Sequence, residues 1–390
     1  MKSATFHRRP HPTAMAAFSL LLAASIPVAA ADFRFEPFVP SPVSAGLSGT
    51  GGPYAAQVAG FDTLFTNPAA LAYVDETWSI ARLSMSASGP LFDLPSAFMA
   101  DDIETELLNL VSENKGIYVG STLSGPIAFG KVDRNFGFGI FNDTSVVANI
   151  PSLTKATILA GEDFLLTGAY GVTVYEKKKQ SLSLGLQLKG YFQTFFDQSG
   201  TAIDILATAT SLDANSLPMV LSTGFGVDAG LMYRYGELFT AAVVCRDLYT
   251  PAFSTRYTKL AYYLASKPET ETQSELLPIN LSVGTAFEVP LPDSWQTVSS
   301  WTFMCDYRDI LAWLNPIPPN PVLYVNFGTE LVLLDVVSLR AGINQTYLAA
   351  GLGLDLTFCK LDFAFYGSEL GIDPGSRPLL NMDISLSFEY

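Results

Sequence analysis

Histidine is almost missing from this chain. The 390 residues contain two, His7 and His11, and both fall inside the N-terminal leader described below. A chain that has lost its leader therefore offers no imidazole for a metal site or a catalytic triad. Cysteine is scarce too. Cys245, Cys305 and Cys359 are isolated and odd in number, which excludes a disulfide framework and suggests no metal site. No Gly-x-Ser-x-Gly elbow and no phosphate loop occurs. The expectation is a protein that is not an enzyme, with no catalytic residues, no cofactor and no metal. Charge is also thin: 15% of residues are charged, against about 25% in an ordinary soluble domain. Beyond residue 31 no apolar run reaches the roughly 18 residues of a membrane-spanning helix.

What is present begins with an export signal. Lys2, Arg8 and Arg9 precede the apolar stretch Ala14–Ala31, which ends in small residues suited to cleavage. The Arg8-Arg9 pair lacks a twin-arginine context, Met15 is an alternative start, and no cysteine follows to carry a lipid. Without residues 1–31 the chain keeps 19 Lys and Arg against 37 Asp and Glu. So acidic a chain is a poor partner for nucleic acid.

The remainder is rich in Phe (27), Tyr (17) and Gly (30) and alternates with period two. "WTFMCDYR" sets Trp301, Phe303, Cys305 and Tyr307 against Thr302, Met304, Asp306 and Arg308. "VLYVNFGTELVL" sets Leu323, Val325, Phe327 and Leu331 against Tyr324, Asn326, Gly328 and Glu330. Alternation of this kind fits strands with one apolar and one polar face. A soluble sandwich and a membrane barrel both satisfy it. Many segments run to about 10 residues or more, beyond the usual 5–6, and short turns (176–180, 235–237) alternate with long loops (249–276, 309–320, 367–379). That is the habit of a transmembrane antiparallel β-barrel, all-β and of about 14 strands. The expected strands are 77–88, 116–131, 135–147, 153–160, 164–177, 180–194, 221–235, 238–248, 278–289, 297–308, 321–333, 336–346, 347–357, 360–367 and 381–390, with 153–160 the weakest. Two amphipathic helices are expected, over 101–114 and 201–215.

Residues 32–76 differ, being Gly-, Ala- and Pro-rich without alternation. In "TNPAALAY", Thr66 or Asn67 can cap a helix whose first position suits Pro68. The expected organisation is a leader over 1–31, an N-terminal segment over 32–76 and a barrel over 77–390.

Ala45–Ala72, "AGLSGTGGPYAAQVAGFDTLFTNPAALA", resembles the N-terminal signature of FadL-like outer-membrane proteins. The matching features are Gly49-Gly51-Gly52, Pro53-Tyr54-Ala55 and Asn67-Pro68-Ala69. Ser124–Asp143, "SGPIAFGKVDRNFGFGIFND", resembles the spirochaete-type branch of that family. The resemblance implies a 14-stranded barrel with the N-terminal segment inside as a hatch, to which Gly51, Gly52, Asn67, Pro68 and Ala69 would belong. It implies localisation in the cell outer membrane and uptake of hydrophobic small molecules such as long-chain fatty acids, with outer-membrane lipid as surroundings. The C-terminus, with Ile384, Leu386, Phe388 and Tyr390 alternating, resembles the signal read by the barrel assembly machinery, although such proteins mostly end in Phe.

Candidate ligand contacts are Arg340, as an anchor for a carboxylate, and Phe92 and Phe98, as the lining of an apolar access groove. Phe195, Phe196, Tyr262 and Tyr263 belong to the same groove or to an interfacial girdle. Opposite Glu330, Arg340 reads first as half of a cross-strand ion pair that stiffens the wall, and the anchor is its second reading. Arg308 beside Asp306 is similar, and Asp355 and Asp362 are expected near one another across a turn. Two other functions remain open. One is a barrel that anchors or shuttles secreted proteins through the loops 249–276 and 314–321. The other is a soluble exported β-protein.

Overall fold

The computed structural model describes residues 38–90, 105–106, 109–111, 116–152, 154–201, 217–264, 271–292 and 294–390, side chains at 262 and 264 excepted. The leader 1–31, Phe92, Phe98 and the expected helix over 201–215, apart from Thr201, lie outside them. Of the expected helix over 101–114 only 105–106 and 109–111 are described. They are helical, with Leu110 and Val111 packed on Ile117.

Sixteen strand segments form one antiparallel sheet that closes on itself. They are β1 (Thr77–Ser88), β2 (Ile117–Asp133), β3 (Phe136–Ser152), β4 (Lys155–Lys177), β5 (Gln180–Gly200), β6 (Met219–Tyr235), β7 (Phe239–Tyr249), β8 (Pro251–Tyr257), β9 (Glu271–Leu276), β10 (Asn280–Glu288), β11 (Val298–Tyr307), β12 (Val325–Leu333), β13 (Val337–Asn344), β14 (Tyr347–Asp355), β15 (Lys360–Glu369) and β16 (Pro378–Glu389). Chain neighbours pair throughout except β7 with β8 and β9 with β10, β6 pairing with both β7 and β8, and β16 pairs with β1 to shut the cylinder. β7 and β8 are two halves of one bent strand, as are β9 and β10, so the barrel has 14 strands.

Two expectations change in detail. The expected strands over 153–160 and 164–177 are one strand from Lys155 on, β4, residue 153 lying outside the described residues. The apparent break at Gly161-Glu162-Asp163 reflects one polar outward residue, Glu162, next to Phe164, not a stop in the ladder. The span 249–276 is not all loop, because β8 and β9 pair within it. Those segments, "PAFSTRY" and "ETQSEL", carry little apolar alternation, and only their ladder partners reveal them.

The faces separate as alternation demands. On β4, Phe164, Leu166 and Tyr170 are exposed while Asp163, Leu165, Thr167 and Ala169 are buried. On β11 and β12, Phe303 and Phe327 point out while Met304, Asp306 and Asn326 point in. The exterior is thus apolar and the interior polar. Strands such as β13 and β14 have 8 and 9 residues. At about 3.3 Å per residue and a tilt of roughly 40° they cover an apolar band of about 20–25 Å. A closed sheet that leaves no edge unpaired is what lipid permits, and the chain is a β-barrel built to span a membrane with its strands.

Candidate functional site: the docked segment and its cavity

The N-terminal segment touches the wall all the way round. Helix α1 (Ala45–Gly49) lies on β13 to β16. A 3-10 turn over Gly60–Phe65 lies on β1 to β4, and another over Pro68–Tyr73 lies on β3 to β6. Contacts with strands on every side put this segment in the lumen. Asn67 is the N-cap of the second turn: its side-chain oxygen accepts from Ala69 N at 3.0 Å, and Pro68 takes the first helical position. The turn is 3-10 rather than α.

The wall is shaped to receive it. A Cβ on Gly171 would meet Pro68 O at 2.5 Å, and one on Gly351 would meet Gly49 Cα at 2.8 Å. Gly185, Gly230, Gly328 and Gly342 face segment atoms more closely still. Conversely Gly51, with φ of +80°, presses on the backbone at Phe327 and Ile343, where a Cβ would lie 2.9 Å from Ile343 N. Gly52 also has a positive φ, +77°. Small residues on both sides let backbone approach backbone. The apolar side chains of the segment complete the core: Phe61, Leu64, Leu71 and Val74 pack with Ala128, Val132, Phe141 and Leu165, and Ala69 and Ala70 pack with Met232 and Ala242.

Inward polar side chains then pin the segment's backbone. Asp306 accepts from Tyr54 N and Ala55 N, both at 2.7 Å. Gln187 Nε2 donates to Leu64 O at 2.7 Å, Arg246 to Phe65 O, and Asn326 to Gly51 O. Asn67 Nδ2 donates to Ala55 O at 2.9 Å and lies 3.4 Å from both Leu231 O and Val243 O. Arg82 binds Asp62 of the segment at 2.5 Å and Glu389 of the last strand at 3.3 Å. Ser124 and Ser385 accept from Val43 N and Ala45 N. Val39, Pro40 and Ser41 make no hydrogen bond to the wall among the described residues.

Those three residues roof a cavity of about 90 Å³. Its apolar side is Val39, Leu64, Phe65 and Leu165. Its polar side is Gln187, Lys189, Asp228, Arg246 and Asp247. Lys189 Nζ sits 2.8 Å from Asp228 and 3.2 Å from Asp247. Beside the cavity the wall is irregular. The β6–β7 register shifts between Val227 and Ala229, and Asp247 takes a positive φ of +54° and donates its N–H to Asp228. The bends at 250 and 277–279 adjoin it, joined by Leu277 N to Thr250 O at 3.0 Å.

The expected site residues are brought together only in part. Gly51, Gly52, Asn67, Pro68 and Ala69 all lie in the docked segment. Arg340 lies opposite Glu330 and binds it at 2.6 Å, and it binds Asp362 at 2.5 Å, beneath Gly46 of α1. Its charge is balanced by two carboxylates. Asp355 is directly opposite Lys360 and pairs with it, and Asp362, directly opposite Gly353, is its diagonal neighbour on the same face across the turn. Arg308 donates to Asn344, not to Asp306. Phe195 is buried inside against Phe38, Phe196 is half-buried, and Tyr263 packs on Tyr257. Gln187, Lys189, Asp228 and Arg246 were not singled out from the sequence. Their signal is a lone polar residue at an inward position, as in "GLQLKGYFQ".

No protein-family model and no curated protein sequence matches the chain. Among solved structures it is similar to the P. putida toluene transporter TodX, at 12% identity and a TM-score of 0.48, over 90% of this chain and 99% of that one. It is also similar to the CymD monoaromatic hydrocarbon channel (15%, 0.47, 89% and 97%). A Pseudomonas aeruginosa FadL homologue is a third (10%, 0.45, 90% and 99%).

Proposed function

We propose that this barrel is a channel, not an enzyme, that takes up hydrophobic small molecules across the outer membrane, long-chain fatty acids being the class the sequence resemblance brings. The observation that carries the reading is a lumen occupied by a docked segment, with a half-apolar cavity of about 90 Å³ left above it. An apolar solute needs a greasy route with few polar contacts. The solute would reach the cavity on its Val39–Leu165 side, and a shift of the unpinned Val39–Ser41 would enlarge it. Residues 32–76 act as the hatch in this reading, 1–31 as the removed signal, and the alternating C-terminus as the assembly signal. The spirochaete-type resemblance of Ser124–Asp143 belongs to the same reading.

The test is saturable binding by the detergent-folded barrel of a panel holding a fluorescent long-chain fatty acid and a neutral aromatic hydrocarbon. Asn67→Ala, Pro68→Ala is measured alongside. Binding altered by the hatch variant is expected; a folded barrel that binds no member of the panel refutes the reading. One observation favours the second function, anchoring of a secreted protein. Trp313, Leu314 and Ile317 stand 57%, 78% and 72% exposed in the loop over 309–320. Capture of a secreted partner through that loop, with no ligand bound, would establish it.

A further inference from the structure

Almost every inward carboxylate among the described residues has a cation or backbone donors. Asp62 and Glu389 have Arg82, Glu330 and Asp362 have Arg340, Asp228 and Asp247 have Lys189, and Asp306 has two backbone N–H groups. Asp383 has neither, but it is single and accepts from Ser48 Oγ at 2.6 Å; Asp143 and Asp163 stand apart as a facing pair. They lie directly opposite one another on β3 and β4, 5% and 3% exposed. Neither has a cationic partner among the described residues, and one oxygen of each has no hydrogen-bond partner. Gln193 is directly opposite Asp163 on β5. It is fully buried, its amide faces the Asp163 carboxylate, and its side-chain oxygen has no partner.

This trio adjoins the cavity. Asp163 is the next inward residue after Leu165, and Gln193 lies two inward positions beyond Lys189, with Tyr191 between them. Successive inward positions are about 6.6 Å apart. The cavity itself has no spare positive charge for an acid head group, because Lys189 is held by two carboxylates and Arg246 by the carbonyls of Phe65 and Thr66.

We propose that Asp143, Asp163 and Gln193 form a binding site for an ammonium group, and that its ligand is an amphiphile whose tail enters the neighbouring cavity. This deepens the uptake reading and rests on it. Two carboxylates on adjacent strands either share a proton or are held by a cation. An ammonium group gives three donors, enough for both free carboxylate oxygens and the Gln193 side-chain oxygen. A carboxylate head group at the same place would meet acceptors and like charge.

The experiment is isothermal titration calorimetry of the folded barrel in nonionic detergent at pH 7.5. The ligands are dodecylammonium, dodecanol and dodecanoate, with Asp143→Asn, Asp163→Asn and the double variant alongside, and folding is checked by heat-modifiable gel mobility. Dodecylammonium is expected to bind at least tenfold more tightly than dodecanoate. The variants are expected to lose that preference and keep dodecanol affinity within twofold. Competition by millimolar methylammonium would support the site and assign it to free amines rather than amphiphiles. Equal affinity for all three ligands, or a preference that survives in the double variant, overturns the proposal and leaves the uptake reading standing. Binding of none overturns both. Should the variants not fold, the wild-type ranking and the methylammonium competition still decide.

Discussion

Replacing Asn67 by alanine tests whether the N-terminal segment is held in place by the contacts described. Asn67 is wholly buried and acts on three parts of the molecule. It caps the Pro68–Tyr73 turn through Ala69 N, ties that turn to Ala55 O, and turns its amide toward the carbonyls of Leu231 and Val243 on two neighbouring strands. Loss of an N-cap costs about 1 kcal/mol. The buried Ala55 carbonyl left without its partner adds about 1–3 kcal/mol. The expected penalty is about 2–4 kcal/mol on docking of residues 61–73, with the barrel ladder untouched. Hydrogen exchange of the folded protein in detergent reads this directly, since local opening reports local free energy. At about 1.4 kcal/mol per factor of ten, peptides covering 61–73 should exchange roughly 30-fold faster or more, while β12–β15 stays unchanged. Asn67→Asp separates the terms: it keeps a capping oxygen but turns a charge toward three carbonyls, and should open the segment further than alanine does. Exchange at 61–73 equal to wild type in both variants would refute the account of docking.

Wall glycines should divide by what lies over them. Gly185→Ala forces a Cβ into the Pro68-Ala69 backbone, whereas a Cβ at Gly190 meets nothing within 4 Å; thermal unfolding should fall clearly for the first and stay within about 0.5 kcal/mol for the second. Arg340→Met strands Glu330 and Asp362 in the lumen without their cation, and denaturant unfolding should show a loss of about 3–5 kcal/mol. Leu352 faces lipid midway along a 9-residue strand, 44% exposed; Leu352→Arg should lower folding stability in phospholipid vesicles by about 2–4 kcal/mol, and no change would argue against its place in the bilayer.

The barrel was legible because its signal is local. Lipid outside and a polar lumen inside impose an inversion of faces at every second residue, so segments such as 298–307 and 378–389 announce themselves within ten or twelve residues. That signal fades where the strand leaves the lipid, which is why β8 and β9 read as loop, and one polar outward residue, Glu162, made β4 read as two pieces. The Asn67-Pro68 cap was legible for the same local reason. The partners of Arg340 were half legible: Glu330 is reached across one hairpin, but Asp362 comes from the second strand beyond it.

By itself the sequence determined a histidine-poor chain, a period-two barrel and a small-residue N-terminal segment that breaks the pattern. Only the tertiary structure decided where that segment rests, which wall glycines lie against it and which inward charges are already matched. It also showed that Asp143, Asp163 and Gln193 stand in one row. The physical reason is that these relations depend on ladder register. Register brings together residues 20, 30 or 300 positions apart, whereas alternation records only which face a residue occupies.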